Sequence, residues 1–528
     1  MAYYKDLREQ IVALEAADKL VRIKREINKD TELMPLVRWQ FRGLHEDQRK
    51  AFLFENVVDA KDRRYDMPVL VASHAASRDI YALALKCRPE EIAERWAQAQ
   101  LNPIKPKLVN EGPIHENVYQ GDRLLARDGL EQFPVPISTP GFDIAPYITC
   151  SNWVTKDPET GIRNMGNYRA MVKSRTRLGI SGHQHYYTHW LKCKSRGIPL
   201  QAALIIGASP NIGLVAPAKT PQGVDEYAIA GALSGEPVEL VKCKTVDIEV
   251  PANAEIVIEG EIPTDTLERE APFGEIPGYV GMVKIMPYFN VTCITHRTNP
   301  IFNVFISQLT PSESSKMQEI ANAALYYKFL KYDCNIAGIL DVAFQENSGS
   351  SGYCVVKLKK LMPGDARRAL NALTAKSFVG PKVAVAVDQD IDPRDADAVN
   401  WAISSRALPR RDTWIVDGKF LGQDHSGAPL TAPEEEQNYP PPNGGSTLLI
   451  DATLKWDYPP VSLPRKEFME KARAIWEEEG LPELRPKSPW YGYSLGHWSK
   501  EHEEEAELAL KGEHYQTGEK LAKRRVKS

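Results

Sequence analysis

AEIVIEGEI, residues 254–262, sets Ile256, Ile258 and Ile262 on one parity and Glu255, Glu259 and Glu261 on the other. Side chains alternate across a β-strand, so this spacing predicts a half-buried strand with an apolar face toward a core and an acidic face toward solvent. Around it stand further short β-rich runs separated by turn residues: YITCSNWV, NYRAMVK, LQAALIIGA, TVDIEV, YVGMVKIM, FNVTCITH and IFNVFIS. So many strands at this spacing predict a barrel between residues 126 and 312.

The flanks read differently. Residues 4–125 mix helical and strand patterns: a helix through Leu7, Ile11 and Leu14, another through Leu33, Leu36 and Val37, strands AFLF and MPVLVAS, and a helix that Ser77 caps ahead of RDIYALAL. SSKMQEIANAALYYKFLKY predicts one long helix leaving the barrel, and NIAGILDVAF, YCVVKLK and KVAVAVDQDID then alternate with helices at 364–377 and 393–407. The expected organisation is an N-terminal α/β domain (1–125), a central barrel (126–312), a linking helix (313–334), a C-terminal α/β domain (335–490) and a charged, partly helical tail (491–528). The Pro-, Gly- and acid-rich stretch 423–446 predicts a long surface excursion.

A chain of 528 residues exceeds what one hydrophobic core organises, which agrees with several domains. No apolar run approaches the ~18 residues of a membrane span, and the amphipathic start MAYYKDLREQIVALEAADKL lacks the apolar core of a secretory signal. Seven dispersed cysteines without a CxxC argue against a disulfide framework and a cysteine zinc site, so buried thiols in a cytoplasmic protein are expected. A formal net charge of -4 offers no general attraction for nucleic acid or an anionic membrane.

Polar residues that strand packing does not explain fall in RNMGNYR (163–169), GHQHYYTHW (182–190) and DEYAIAGAL (225–233). Asn164, a histidine and Glu226 would offer an amide oxygen, an imidazole nitrogen and a carboxylate, a donor set suited to a divalent ion such as Mn²⁺. The same residues also have plain readings: a turn asparagine, a core or surface histidine, and a glutamate complementing a helix dipole. Arg169, if it faces inward, needs a partner, and EREAPFGEIPGY (268–279) supplies Glu270 and Glu275. Phe273 between them packs on a ring or fills core. Asn164 and Arg169 differ in parity, so a regular strand points them apart, and a bulge at Gly166 is the expected remedy.

Taken together, NMGNYR, HQH, DEYAIAGAL, VPANAEIVIEG, EAPFGEIPGY, VNWAISSRALPRRDTWIVD and LLIDATLKW resemble the UbiD-type decarboxylases, over roughly residues 130–460. The resemblance implies a central split β-barrel of flavin-reductase type that binds prenylated FMN, and a C-terminal domain used in homo-oligomers, dimers or hexamers. It implies Asn164, His185 and Glu226 as ligands of a divalent metal, Mn²⁺ first, with K⁺ as a further ion. His183 and His189 stand close enough to compete with His185. Gln184 and Lys382 are implied cofactor contacts, Lys382 through the phosphate.

Arg169, Glu270 and Glu275 are implied as the catalytic set, with Arg169 and Glu270 orienting and stabilising the adduct and Glu275 donating the proton that replaces CO₂. Such an enzyme needs a flavin prenyltransferase of UbiX type as cofactor supplier and takes an aromatic carboxylate, or an aryl-CoA ester such as phthaloyl-CoA. Two rival classes share the barrel: a flavin-dependent oxidoreductase in which the acids are structural, and a non-enzymatic oligomeric scaffold.

Overall fold

In the expected half-buried strand, Glu255 and Glu259 are fully buried, and Glu261 alone of the three glutamates is partly open. The strand Ile256–Ile262 lies inside a sheet, and its second face is covered by the N-terminal segment and by the turn at 244–245. Glu255 there accepts Arg8 Nε at 2.8 Å and Arg297 Nη1 at 3.3 Å. Glu259 accepts Thr245 N at 2.7 Å and Lys244 N at 2.8 Å. A carboxylate is tolerated in the interior when such donors replace its water, so alternating polarity here marks two buried faces of different chemistry.

The computed structural model describes residues 3–182, 185–218, 220, 223–270, 272–281, 283–348, 352–376, 380–418, 426 and 445–526. The central sheet has nine strands in the order Tyr147–Ile148, Ala170–Ser174, Arg177–Ile180, Tyr288–His296, Ile256–Ile262, Leu200–Ile206, Asn152–Lys156, Arg163–Asn167, with Asn117–Gln120 added beside Tyr288–His296. The end strands Tyr147–Ile148 and Arg163–Asn167 do not pair, so the sheet is a curled half-barrel with an open seam. Segments on both sides of residue 125 contribute to it, since Asn117–Gln120 pairs with Tyr288–His296.

The N-terminal sheet joins Leu20–Asn28, Ala51–Val58, Arg64–Tyr65 and Val69–Val71 with a strand from far along the chain, Phe302–Val304, which runs parallel to Val69–Val71. IFNVFIS, expected among the barrel strands, thus completes the N-terminal sheet. An apolar β run carries no label of the sheet it joins. Helix Leu7–Ala16 buries Leu7, Ile11 and Leu14 as the spacing predicts, and Ser77 caps Arg78–Leu85 by accepting Ile80 N at 3.3 Å.

Helix Glu313–Lys328 starts at Ser312, whose hydroxyl accepts Ser315 N while Ser315 Oγ accepts Ser312 N, a reciprocal cap. One stripe, Met317, Ile320, Ala321 and Ala324, packs into the central core, and another, Ala323, Tyr326 and Tyr327, into the C-terminal core. Wet on neither side, the helix buries charged residues in pairs: Lys316 Nζ meets Glu346 at 2.7 Å and Glu319 at 3.0 Å. The C-terminal sheet runs Ile339–Phe344, Tyr353–Leu358, Val383–Asp388, Ser446–Asp451, Thr413–Asp417, with its three inner strands parallel.

Beyond it, helices Lys466–Glu478, Lys500–Leu510 and His514–Ala522 bury none of their residues within one chain. Most of the expected excursion 423–446 lies outside the described residues. All seven cysteines are free; Cys150, Cys193, Cys293 and Cys354 are buried, whereas Cys87, Cys243 and Cys334 are half-buried. Among the described residues no helix is long and apolar enough to cross a membrane.

Candidate functional site

Two clusters hang from one short stretch, 163–169, at the seam of the half-barrel. Arg163–Asn167 pairs with Asn152–Lys156 at one end of the sheet, and Ala170–Ser174 pairs with Tyr147–Ile148 and Arg177–Ile180 at the other. Tyr168 and Arg169 cross the opening between them. The Tyr168 carbonyl is pinned there by Ser151 Oγ at 2.5 Å and Trp153 Nε1 at 2.8 Å. The parity conflict between Asn164 and Arg169 is therefore resolved by this crossing. No bulge occurs at Gly166, which faces Trp153 in unbroken register and gives the space of its missing Cβ to the Tyr168 ring.

On the near side of the crossing, Asn164 Oδ1 lies 2.9 Å from His185 Nδ1 at the start of helix His185–Ser195. Glu226 opens helix Glu226–Ser234, where Asp225 is the N-cap; its carboxylate accepts Met165 N at 2.8 Å and Thr220 Oγ1 at 2.5 Å. Burial pushes the Glu226 carboxyl up to about 7 and pulls His185 below its ordinary value, which favours the neutral imidazole. His189, one turn further on, is buried and shares a 2.9 Å hydrogen bond between its Nδ1 and Thr155 Oγ1. His183 and Gln184 lie outside the described residues.

On the far side, Arg169 forms a bidentate pair with Glu270 at 2.7 and 3.0 Å and its Nη1 donates to Glu275. Glu270 is wholly buried and ends the ribbon strand Glu268–Glu270, which pairs with Lys284–Met286. Glu275 sits in a tight bend closed by Glu275 N to Tyr279 O at 2.8 Å and Gly281 N to Phe273 O at 2.9 Å. Gly278 turns the bend with φ +102°, and a Cβ at Gly281 would strike the Glu275 side chain at 2.9 Å. Phe273 packs at 4.4 Å from the Tyr147 ring and lies under the Arg169 guanidinium at 5.3 Å.

Burial raises Glu275, against the opposing pull of Arg169. Although burial disfavours a charged Arg169, the two carboxylates more than offset it and raise its pKa. Exposed Phe142, Ile144, Tyr279, Val280 and Leu309 belong to the segments around this set, an apolar margin beside charged groups. A hollow of about 500 Å³ bordered by Ile144, Met171, Lys173 and Glu268 adjoins it.

The residues on the near side fit a metal. Buried Glu226 has no basic partner among the described residues, and on the same side of the crossing Asn164 Oδ1 and His185 Nδ1 meet at 2.9 Å. A cation held by the Glu226 carboxylate and the Asn164 amide oxygen would supply the charge partner that the buried carboxylate lacks. Among the described residues no three His, Cys, Asp or Glu side chains gather as a metal group; the set here counts two of them plus an asparagine. Lys382 stands on the C-terminal sheet, just before Val383–Asp388, where its Nζ donates to Ser426 Oγ. Sequence reasoning passed over Thr220, Tyr147, Asp143 and Gln308. The STPGFDIAPY segment, polar residues in a Pro- and Gly-rich loop, was the signal for Asp143.

A buried arginine between two glutamates, and a hard donor set one seam-crossing away, define a site able to hold an anionic substrate and a metal-tethered group. The chain belongs to the 3-octaprenyl-4-hydroxybenzoate carboxy-lyase (UbiD) family of decarboxylases: residues 11–100 match the family's N-terminal domain, 107–308 its Rift-related domain and 315–452 its C-terminal domain. An uncharacterized protein of Aquifex aeolicus is 31% identical, covering 90% of this chain and 99% of that protein.

Among solved structures, an evolved dimeric form of the UbiD-class enzyme HmfF from Pelotomaculum thermopropionicum in complex with prFMN is 31% identical with a TM-score of 0.75, over 87% of this chain and 97% of that one. Vanillic acid decarboxylase of Sedimentibacter hydroxybenzoicus in open form, with truncated ShVdcD, is 26% identical with a TM-score of 0.75, over 90% of this chain and 100% of that one.

Proposed function

We propose that the protein catalyses the non-oxidative, reversible decarboxylation of an aromatic carboxylic acid with prenylated FMN, held in the half-barrel. The single observation that carries this reading is the convergence of Arg169, Glu270 and Glu275 beside an apolar margin, in a family with a relative solved in complex with prFMN. A prenylated flavin, when bound, supplies the electron sink that loss of CO₂ from an sp² carbon demands and that no side chain provides.

Arg169 neutralises the substrate carboxylate, which would otherwise meet the like charge of the buried Glu270 carboxylate. Glu270, bidentate to Arg169, fixes the plane of the guanidinium. Glu275, whose carboxyl burial raises above its ordinary value, delivers its proton to the carbon that CO₂ leaves and is then recharged from solvent, so ArCOO⁻ and one proton become ArH and CO₂. Asn164, His185 and Glu226 would hold a divalent metal, Mn²⁺ by their chemistry, that anchors the flavin phosphate, with K⁺ as a further ion. Gln184 and Lys382 are proposed as additional cofactor contacts.

The free aromatic acid is the substrate class these observations carry, and nothing in the site favours a CoA ester such as phthaloyl-CoA over it. A flavin prenyltransferase is the required supplier of cofactor, and a homo-oligomer, dimer or hexamer, is the proposed assembly. The test is coexpression with such a prenyltransferase, the mass and absorption of the released cofactor, and CO₂ release from a panel of aromatic acids. Glu275→Gln is expected to retain cofactor and lose turnover by ~10² to 10⁴-fold; an active Glu275→Gln enzyme removes the proposed proton donor.

A further inference from the structure

We infer that Gln308, backed by Thr139 and Asp143, is the positioning residue that holds the bend at Glu275 against Arg169; the inference rests on Arg169, Glu270 and Glu275 being the reacting set. Gln308 lies in the connection between strand Phe302–Val304 and helix Glu313–Lys328, with φ +77°. A side chain with a Cβ rarely adopts that conformation, and one retained there points to a constraint from its surroundings. Gln308 is nevertheless buried.

The constraint comes from two sides. On one, helix Leu33–Gly43 of the N-terminal unit grips the backbone: Arg38 donates to the carbonyls of Ser307 and of Leu309, the latter at 3.2 Å, and Arg42 donates to Thr310 O at 3.2 Å. Neither arginine has a carboxylate partner among the described residues, so carbonyl capping is the role the geometry gives them. On the other side, the Gln308 carbonyl oxygen Oε1 accepts the Thr139 hydroxyl, and its amide faces Asp143. Asp143 in turn accepts Thr139 N at 2.7 Å and lies within the field of Arg169.

What Gln308 presses on is the acid bend. A Cβ at Gly274, the residue before Glu275, would lie 2.8 Å from Gln308 Cγ and Cδ, and a Cβ at Gly278 would lie 2.6 Å from Leu309 Cδ1. Residues 308 and 309 therefore occupy the space left by both glycines that bracket Glu275. The bend cannot move toward them, and Arg169 faces Glu275 from its own side. A displacement of about 1 Å at a reacting group costs on the order of 10²-fold in rate, so this wedge bears on turnover more than on folding.

The test uses the cofactor-loaded enzyme and the cofactor-free protein side by side. Gln308→Gly removes the wedge and relieves the positive φ. The expected result is an unfolding temperature equal to or above wild type, unchanged bound cofactor, KM within about threefold and kcat down by roughly 10 to 100-fold. Gly274→Ala alone should lose activity through collision with Gln308, and Gly274→Ala with Gln308→Ala should lose no more than Gly274→Ala by itself. In cofactor-free protein, amide exchange at Glu275 and Gly281, whose N–H groups close the bend, should quicken about tenfold in Gln308→Gly.

Lower stability with unchanged kcat per bound cofactor, additive losses in the double variant, or unaltered exchange would each overturn the inference. The exchange readout needs no turnover. If Glu275→Gln stays active while the exchange quickens as expected, the wedge stands and the assignment of Glu275 fails.

Discussion

Arg169→Met tests the charge logic of the site directly. The substitution keeps a stem of similar reach and removes the guanidinium, which leaves Glu270, 0% exposed, with a carboxylate that has lost both of its charge-assisted bonds at 2.7 and 3.0 Å. Stranding one partner of a buried ion pair costs about 3–5 kcal/mol. Adding Glu270→Met removes the stranded charge as well, and a pair replaced by apolar groups of similar volume is close to neutral. The double variant still forgoes the phenol contact that Tyr147 makes with Glu270 and the Arg169 donor to Glu275, losses of about 1 kcal/mol each.

The expected order of stability is therefore wild type, then the double variant about 1–2 kcal/mol below it, then Arg169→Met lowest. Urea denaturation of the cofactor-free protein measures it; at an m-value of about 3 kcal/mol/M, Arg169→Met shifts the midpoint by ~1 to 1.7 M. Both variants should lack turnover, because the guanidinium that neutralises the substrate is gone from each. If the double variant is no more stable than Arg169→Met, Glu270 is not a stranded charge and the account of the pair is wrong.

The remaining expectations concern the metal and the proton. Glu226→Gln retains an acceptor for Met165 N–H while removing the charge, so Mn²⁺ affinity, followed by electron paramagnetic resonance titration, should fall by at least about tenfold with little change in fold; unchanged affinity would count against the ligand set. Glu275 has a folded pKa raised chiefly by burial, and only its protonated form donates. The rate kcat should therefore be level at low pH and decline about tenfold per pH unit once pH exceeds that folded value. The same raised pKa disfavours folding as pH climbs from the unfolded value through the folded one. A kcat that rises with pH across that range would mean that Glu275 works as a base.

Strand parity, helix caps and the glycines of the acid bend were legible from residues 1–528 because they are local: alternation at 254–262, Ser77 ahead of an apolar helix, Gly278 in a turn. The family motifs likewise pointed to Asn164, Arg169, Glu226, Glu270 and Glu275, residues the fold gathers at one seam. Partners distant in the chain were not legible. Phe302–Val304 joins a sheet begun more than two hundred residues earlier, Glu255 and Glu259 are buried because Arg8 and the 244–245 turn cover them, and Gln308 reaches Gly274 across a loop.

The partners of the histidines were of the same kind: Asn164 faces His185 and Thr155 faces His189. Local pattern reports what each segment can become, because propensity and alternation act over a few residues. Which buried donor meets which acceptor depends on how whole layers stack, and only the packed chain settles that.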